Sequence, residues 1–188
     1  IAESAKWTEE KCWPSLSLVY LPHLDYDLQR YGLDFARINP ALGEIDAVVG
    51  DLMRFYEQRG IKVILLSEYG ITSVERPVHL NRLFREKGWI SIKNELGRDA
   101  IDPGGSKVIA IADHQVAHIY ILDPSITREV RELLENTPGV QQVLGKQEKF
   151  FAGLDHERSG DLVAVADFRS WFTYYFWLND RLAPDYAR

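Results

Sequence analysis

Two carboxylates stand where apolar runs break off. The run Val63–Leu66 gives way to Ser67-Glu68-Tyr69-Gly70, which sets a carboxylate and a phenol just before a glycine turn; likewise "SLSLVYLP" (15–22) is followed by His23 and Asp25. A carboxylate at the carboxyl end of a strand has two uses. It caps the turn that follows, or it faces the crevice in which open α/β sheets bind their ligands. The five histidines, at 23, 79, 114, 118 and 156, fall into no HExxH or other strong metal spacing. His79 follows the Glu68 turn on a short helix and could face the same cleft, with a solvated helical histidine as the plain alternative. His114 and His118 lie in an apolar stretch that reads as strand and turn, which suits structural or surface roles, and His156 sits in the polar loop "GLDHERSGD". No GxGxxG, Walker loop, GxSxG or SxxK occurs.

These groups need elements to position them. "SLSLVYLP" and "KVILLSEYG" read as strands, and between them "NPALGEIDAVVGDLMRFYEQRG" opens with Asn39-Pro40, repeats apolar residues at Leu42, Ile45, Val49, Leu52 and Tyr56, and stops at Gly60. Strand, amphipathic helix and apolar strand form a βαβ unit, which implies a parallel sheet with Asp25 and Glu68 at one edge. "RPVHLNRLFREKG" reads as a second short helix. Further on, "VIAIADHQVAHIYIL" reads as two strands, "SITREVRELLENTPG" as a helix, "VQQVLG" as a strand, "KQEKFFAG" as a short helix and "GDLVAVAD" as a strand. The fold class expected is α/β, a mostly parallel sheet with flanking helices over residues 1–103 and 159–188, plus a small α+β insert over 104–158. The aromatic run Trp171–Trp177 suits core packing or a subunit contact better than a stacking platform, because no basic groove surrounds it.

The 188 residues are 46% hydrophobic and 27% charged, enough for a buried core. A formal charge of −6 argues against a nucleic-acid polymer as partner, since such binders concentrate Lys and Arg. The single cysteine, Cys12, allows no internal disulfide and leans toward an intracellular, cytoplasmic setting. No 18-residue apolar run or signal pattern points to a membrane. Self-association stays open. The opening at Ile1 without methionine and the close on "RLAPDYAR" read as an excised piece.

A resemblance joins the separate signals. "LVYLPHLDYDLQRYG" resembles the segment Tyr…Pro-Asp-x-x-Gly-His-x-Tyr-Gly of type I phosphodiesterases and nucleotide pyrophosphatases, in the alkaline phosphatase superfamily; aligning Tyr31-Gly32 puts Asp25 on the family's metal-binding aspartate and Gln29 on its metal-binding histidine. "LLSEYGIT" resembles the family's Ser-Asp-His-Gly-Met-Thr, with Glu68 on the second aspartate and Tyr69 on the adjacent histidine. "FFAGLDHERSGDLVAVAD" resembles the family's small subdomain. The resemblance implies metal-assisted hydrolysis of phosphodiester or pyrophosphate bonds in small phosphorylated substrates, with Asp25, Glu68, Gln29 and Tyr69 at the metal and His23 and His79 beside it or on the substrate. It also implies that the segment with the family's Thr or Ser nucleophile is absent, so no catalytic residue is assigned here. Two imidazole positions have become an amide and a phenol, so manganese or magnesium is expected in preference to zinc. The same replacements suit a second reading, a metal-poor binding module that keeps the fold, and a phosphonate hydrolase of the superfamily is a third.

Overall fold

The computed structural model describes residues 1–187 and divides the chain into two compact units, Ile1–Ser73 and Val74–Arg188.

The first unit is built on helices α1 (Ala2–Cys12), α2 (His23–Tyr31) and α3 (Phe35–Glu57). α3 begins four residues before the expected Asn39-Pro40 start, because Asp34 caps it: the Asp34 side chain accepts from Ala36 N at 3.2 Å. Pro40 thus lies inside the helix, where it removes one backbone donor. The buried stripe Ile38, Ala41, Leu52 and Tyr56 faces the unit's interior, and α3 ends through Gly60 at φ +69°. The stretch 23–31 forms a helix where the sequence suggested only a turn after a strand.

The expected strands at 15–22 and 63–67 are not strands. Among the described residues neither stretch belongs to a ladder, and a strand-like alternation of burial covers only 18–21 and 61–64. Val19, Leu21, Ile61 and Val63 are half-buried, whereas Leu16, Leu18, Tyr20, Ile64 and Leu66 are exposed. The apolar pattern is that of a strand, but a strand also needs a neighbour to take its backbone hydrogen bonds, and none pairs here. The half-buried faces line an open groove of about 400 Å³ over Leu52, Met53 and Tyr56 of α3.

The second unit is paired throughout. β1 (Arg76–Val78) runs parallel to β8 (Ser170–Phe172), and β2 (Ser91–Glu95) with β3 (Arg98–Asp102) makes a hairpin that the polar, Gly-rich sequence did not reveal. The main sheet is antiparallel, in order β4 (Val108–Asp113), β5 (Val116–Ile121), β7 (Leu162–Ala166), β6 (Val140–Leu144). α4 (Leu80–Glu86) and α5 (Thr127–Glu135) bury Leu80, Phe84, Val130 and Leu134 in the same core as this sheet, and α6 (Lys146–Phe151) follows β6. These strands and helices over 108–166 stand where the sequence pattern puts them. The outer edge of β4 is covered from α4: Asn81 donates to the Ala110 carbonyl and accepts from the Ala110 amide, each at 2.8 Å. Arg85 adds an ion pair at 2.6 Å to Asp99, tying α4 to the hairpin.

Gly160 shows how tightly β5 and β7 are joined. A Cβ there would stand 2.6 Å from Ile119 N, 2.7 Å from Ile119 O and 2.9 Å from Leu162 O, all backbone atoms that cannot swing aside. Gly160→Ala is therefore expected to lower the unfolding free energy by about 1–3 kcal/mol in urea titration of the chain. Gly104→Ala, whose Cβ would meet nothing nearer than Asp102 Oδ1 at 3.6 Å, should change it by less than about 0.5 kcal/mol.

Candidate functional site

Three of the four residues that the resemblance puts at the metal, Asp25, Gln29 and Tyr69, come together. Asp25 lies in the first turn of α2 and not at a strand end; its amide donates to the Pro22 carbonyl at 3.1 Å. Gln29, four residues on along the same helix face, donates its amide to Asp25 Oδ2 at 2.7 Å. Tyr69 reaches across from the 67–70 turn and donates its phenol to Asp25 Oδ1 at 2.8 Å. Ser67 shapes that turn by donating to the Tyr69 carbonyl at 2.8 Å. Both oxygens of one half-buried carboxylate thus have a neutral donor, and among the described residues the Tyr69–Asp25 contact is the hydrogen bond that joins the turn to α2.

The other candidates fall differently. Glu68 is exposed and makes no hydrogen bond or ion pair among the described residues. His23 Nε2 stands 3.0 Å from Glu44 Oε2, which links the start of α2 to α3. His79 precedes α4 in the second unit and is not helical, which corrects its expected place on the helix. Its Nδ1 lies 2.7 Å from Thr173 Oγ1, and its ring stacks on Tyr175 at 5.2 Å and 3°. Partial burial lowers its pKa first, the Arg82 charge lowers it further and Asp180 opposes both, so the ring is neutral at neutral pH. His118 Nδ1 accepts from the Gly160 amide at 3.1 Å and His156 Nδ1 from the Arg158 amide at 3.1 Å, so these two fasten the 156–160 loop, while His114 is exposed in the β4–β5 turn. The partners Glu44 and Thr173 were not visible in the sequence, because no local spacing links them to His23 or His79.

The divalent cation implied by the resemblance can be tested against these donors. At the Asp25 cluster they are carboxylate, amide and phenol groups, with no imidazole or thiolate among them, and among the described residues no three His, Cys, Asp or Glu side chains converge to hold an ion. Zinc, which favours nitrogen and sulfur, does not fit this set. Magnesium and manganese, which bind through one or two carboxylates and keep much of their water, take oxygen donors of this kind. Each oxygen of Asp25 has a lone pair left after its one hydrogen bond.

The phenol reports on the carboxylate. Tyr69 is pushed up to about 12, chiefly by its hydrogen bond to Asp25, then by partial desolvation and by the Asp25 charge. A folded-state value above the unfolded one near 10 means that this contribution to stability is fully present below about pH 10 and is lost as pH rises through about 12. Titration of tyrosinate absorbance, compared with Tyr69→Phe, is expected to place this phenol among the last of the nine tyrosines to ionise. In Asp25→Asn it should return toward about 10; ionisation near the ordinary value in the unsubstituted chain would contradict the contact.

With this geometry in place, comparison with known proteins gives the chain its relatives. It is 31% identical over 100 residues to an uncharacterised pyrophosphatase/phosphodiesterase of Schizosaccharomyces pombe, across 51% of this chain and 20% of that protein. It superposes with a TM-score of 0.65 on murine ectonucleotide pyrophosphatase/phosphodiesterase 5, solved as an inactive variant in complex with AMP, at 18% identity over 92% of this chain and 43% of that one. A phosphonoacetate hydrolase of Sinorhizobium meliloti, in complex with phosphonoformate, shares the fold at TM-score 0.55 and 16% identity, over 98% of this chain and 44% of that one. The chain therefore spans less than half the length of the solved structures it resembles. The sequence profile of the type I phosphodiesterase/nucleotide pyrophosphatase family matches residues 2–186, nearly the whole chain, and the chain belongs to that family.

Proposed function

We propose that the protein containing this chain hydrolyses phosphodiester or pyrophosphate bonds in nucleotides or related small phosphoesters. The family match across residues 2–186 carries this reading. Turnover is proposed for the whole protein and not for these 188 residues alone, within which no nucleophile is assigned. A cation bound by Asp25 and Glu68 would neutralise charge on a phosphoryl group. The chain's own residues supply the rest. Gln29 and Tyr69 fix the rotamer of Asp25, so that its carboxylate keeps one orientation. Glu68, exposed beside Tyr69 and without a partner of its own, adds the second negative group. His23, held by Glu44 at the start of α2, is a donor for a substrate oxygen.

One observation favours a rival. Asp25 has both oxygens satisfied by neutral donors, which is what a binding module that has given up its cation would show. Initial rates on a p-nitrophenyl phosphodiester with added manganese or magnesium decide between them. The hydrolase reading predicts metal-dependent turnover by the whole protein, with Asp25→Asn and Glu68→Gln each lowering kcat/KM by about 100-fold or more. Binding of a small phosphoester without turnover, unchanged by chelator, would support the module instead. Zinc is expected to support activity less well than manganese, and Gln29→His with Tyr69→His to reverse that order.

A further inference from the structure

We propose that the groove over α3 receives an extended apolar segment of the same protein from outside these 188 residues, which pairs as a β-strand with residues 15–21 and with residues 62–66. The inference goes beyond the hydrolase reading and does not depend on it, because it concerns what completes the first unit and not what the site does.

Three observations in the first unit point to a strand. Among the described residues no amide or carbonyl of 15–21 or 62–66 makes a backbone hydrogen bond, and the two stretches do not pair with each other. Unmet backbone groups along an apolar extended sequence are a template for strand addition. Both stretches also line the same open groove of about 400 Å³, together with Leu52, Met53 and Tyr56 of α3. Paired strands lie about 4.8 Å apart, so a segment seated in that groove can bond to both. Finally, the groove holds a polar group without a use: Tyr56 is 6% exposed, and its buried hydroxyl has no partner among the described residues. Leaving such a group unpaired is destabilising, and a carbonyl of the incoming strand would accept from it. Composition and length then select the occupant. Side chains that meet Leu52 and Met53 must be apolar, and the exposure of Leu16, Leu18, Ile64 and Leu66 fits strands that a larger domain covers on both faces. Over 92% of its length the chain covers only 43% of a solved relative, so a protein of that length has ample further chain to supply the strand. Covalent linkage gives that segment an effective concentration that a free peptide lacks. Once seated, it would fix the two segments that lead to Asp25 and to the 67–70 turn.

Met53 is the only methionine of the 188 residues and lines the groove, so a photoreactive methionine analogue at that position reports what fills it. In the whole protein, prepared as a mixture of light and heavy isotopes and read by mass spectrometry, irradiation should join residue 53 to a segment outside residues 1–188 of the same molecule. Cross-links to a second copy, or only to residues within 1–188, overturn the proposal. Hydrogen exchange of the whole protein is the second measurement. Amides of 15–21 and 62–66 should exchange about 100-fold or more slowly than unstructured chain, at a rate independent of protein concentration. Exchange at the rate of unpaired chain, or protection that grows with concentration, overturns it. Tyr56→Phe removes only the hydroxyl and should speed exchange over 62–66 by about threefold to tenfold, with the β5–β7 ladder unchanged. Equal rates in the two proteins would overturn the assigned hydroxyl bond. None of these measurements reads turnover, so their failure leaves the hydrolase reading to its own assay.

Discussion

A backbone stretch becomes a strand only when a neighbour takes its hydrogen bonds, and this requirement divides the molecule. In the second unit every strand has a partner, so β5 and β7 lie close enough that Gly160 has no room for a side-chain atom. In the first unit, 15–22 and 61–66 have the apolar sequence of strands without a ladder. The segments that flank Asp25 and Tyr69 are consequently not fixed to each other by main-chain pairing. Their ends are joined by side chains, and the phenol-to-carboxylate bond at 2.8 Å makes that join.

This placement gives Asp25 more to do than a capping residue does. Its carboxylate orients Gln29, holds the turn and raises the phenol's pKa, all at a half-buried position that water and ions can reach. Such bonds are modest in free energy when exposed, which is why they can be exchanged for another partner. The second unit offers the contrast. Asn81 satisfies both polar groups of Ala110 in a buried setting, and an exchange there would leave buried donors and acceptors unpaired.

How much was legible in the sequence follows from the same division. Where apolar alternation coincided with a partner in the chain, as for β4, β5, β6 and β7, pattern and structure agree. Where the partner was lacking, Leu16, Leu18, Ile64 and Leu66 gave the pattern of a strand and ended in solvent. The hairpin β2–β3 was hidden because its strands are polar and short. Among the site residues, Asp25, Gln29 and Tyr69 were brought together by resemblance and are joined by hydrogen bonds, a chemistry that spacing alone could not distinguish from ligation. The contacts of His79 with Thr173 and Tyr175 join residues far apart along the chain, which no local spacing announces.

The most direct test is a crystal structure of the whole protein grown with manganese, with the ion located by its anomalous scattering. The account predicts a peak within bonding distance of the Asp25 carboxylate. A peak bound elsewhere, with Asp25 still held between Tyr69 and Gln29, would contradict it.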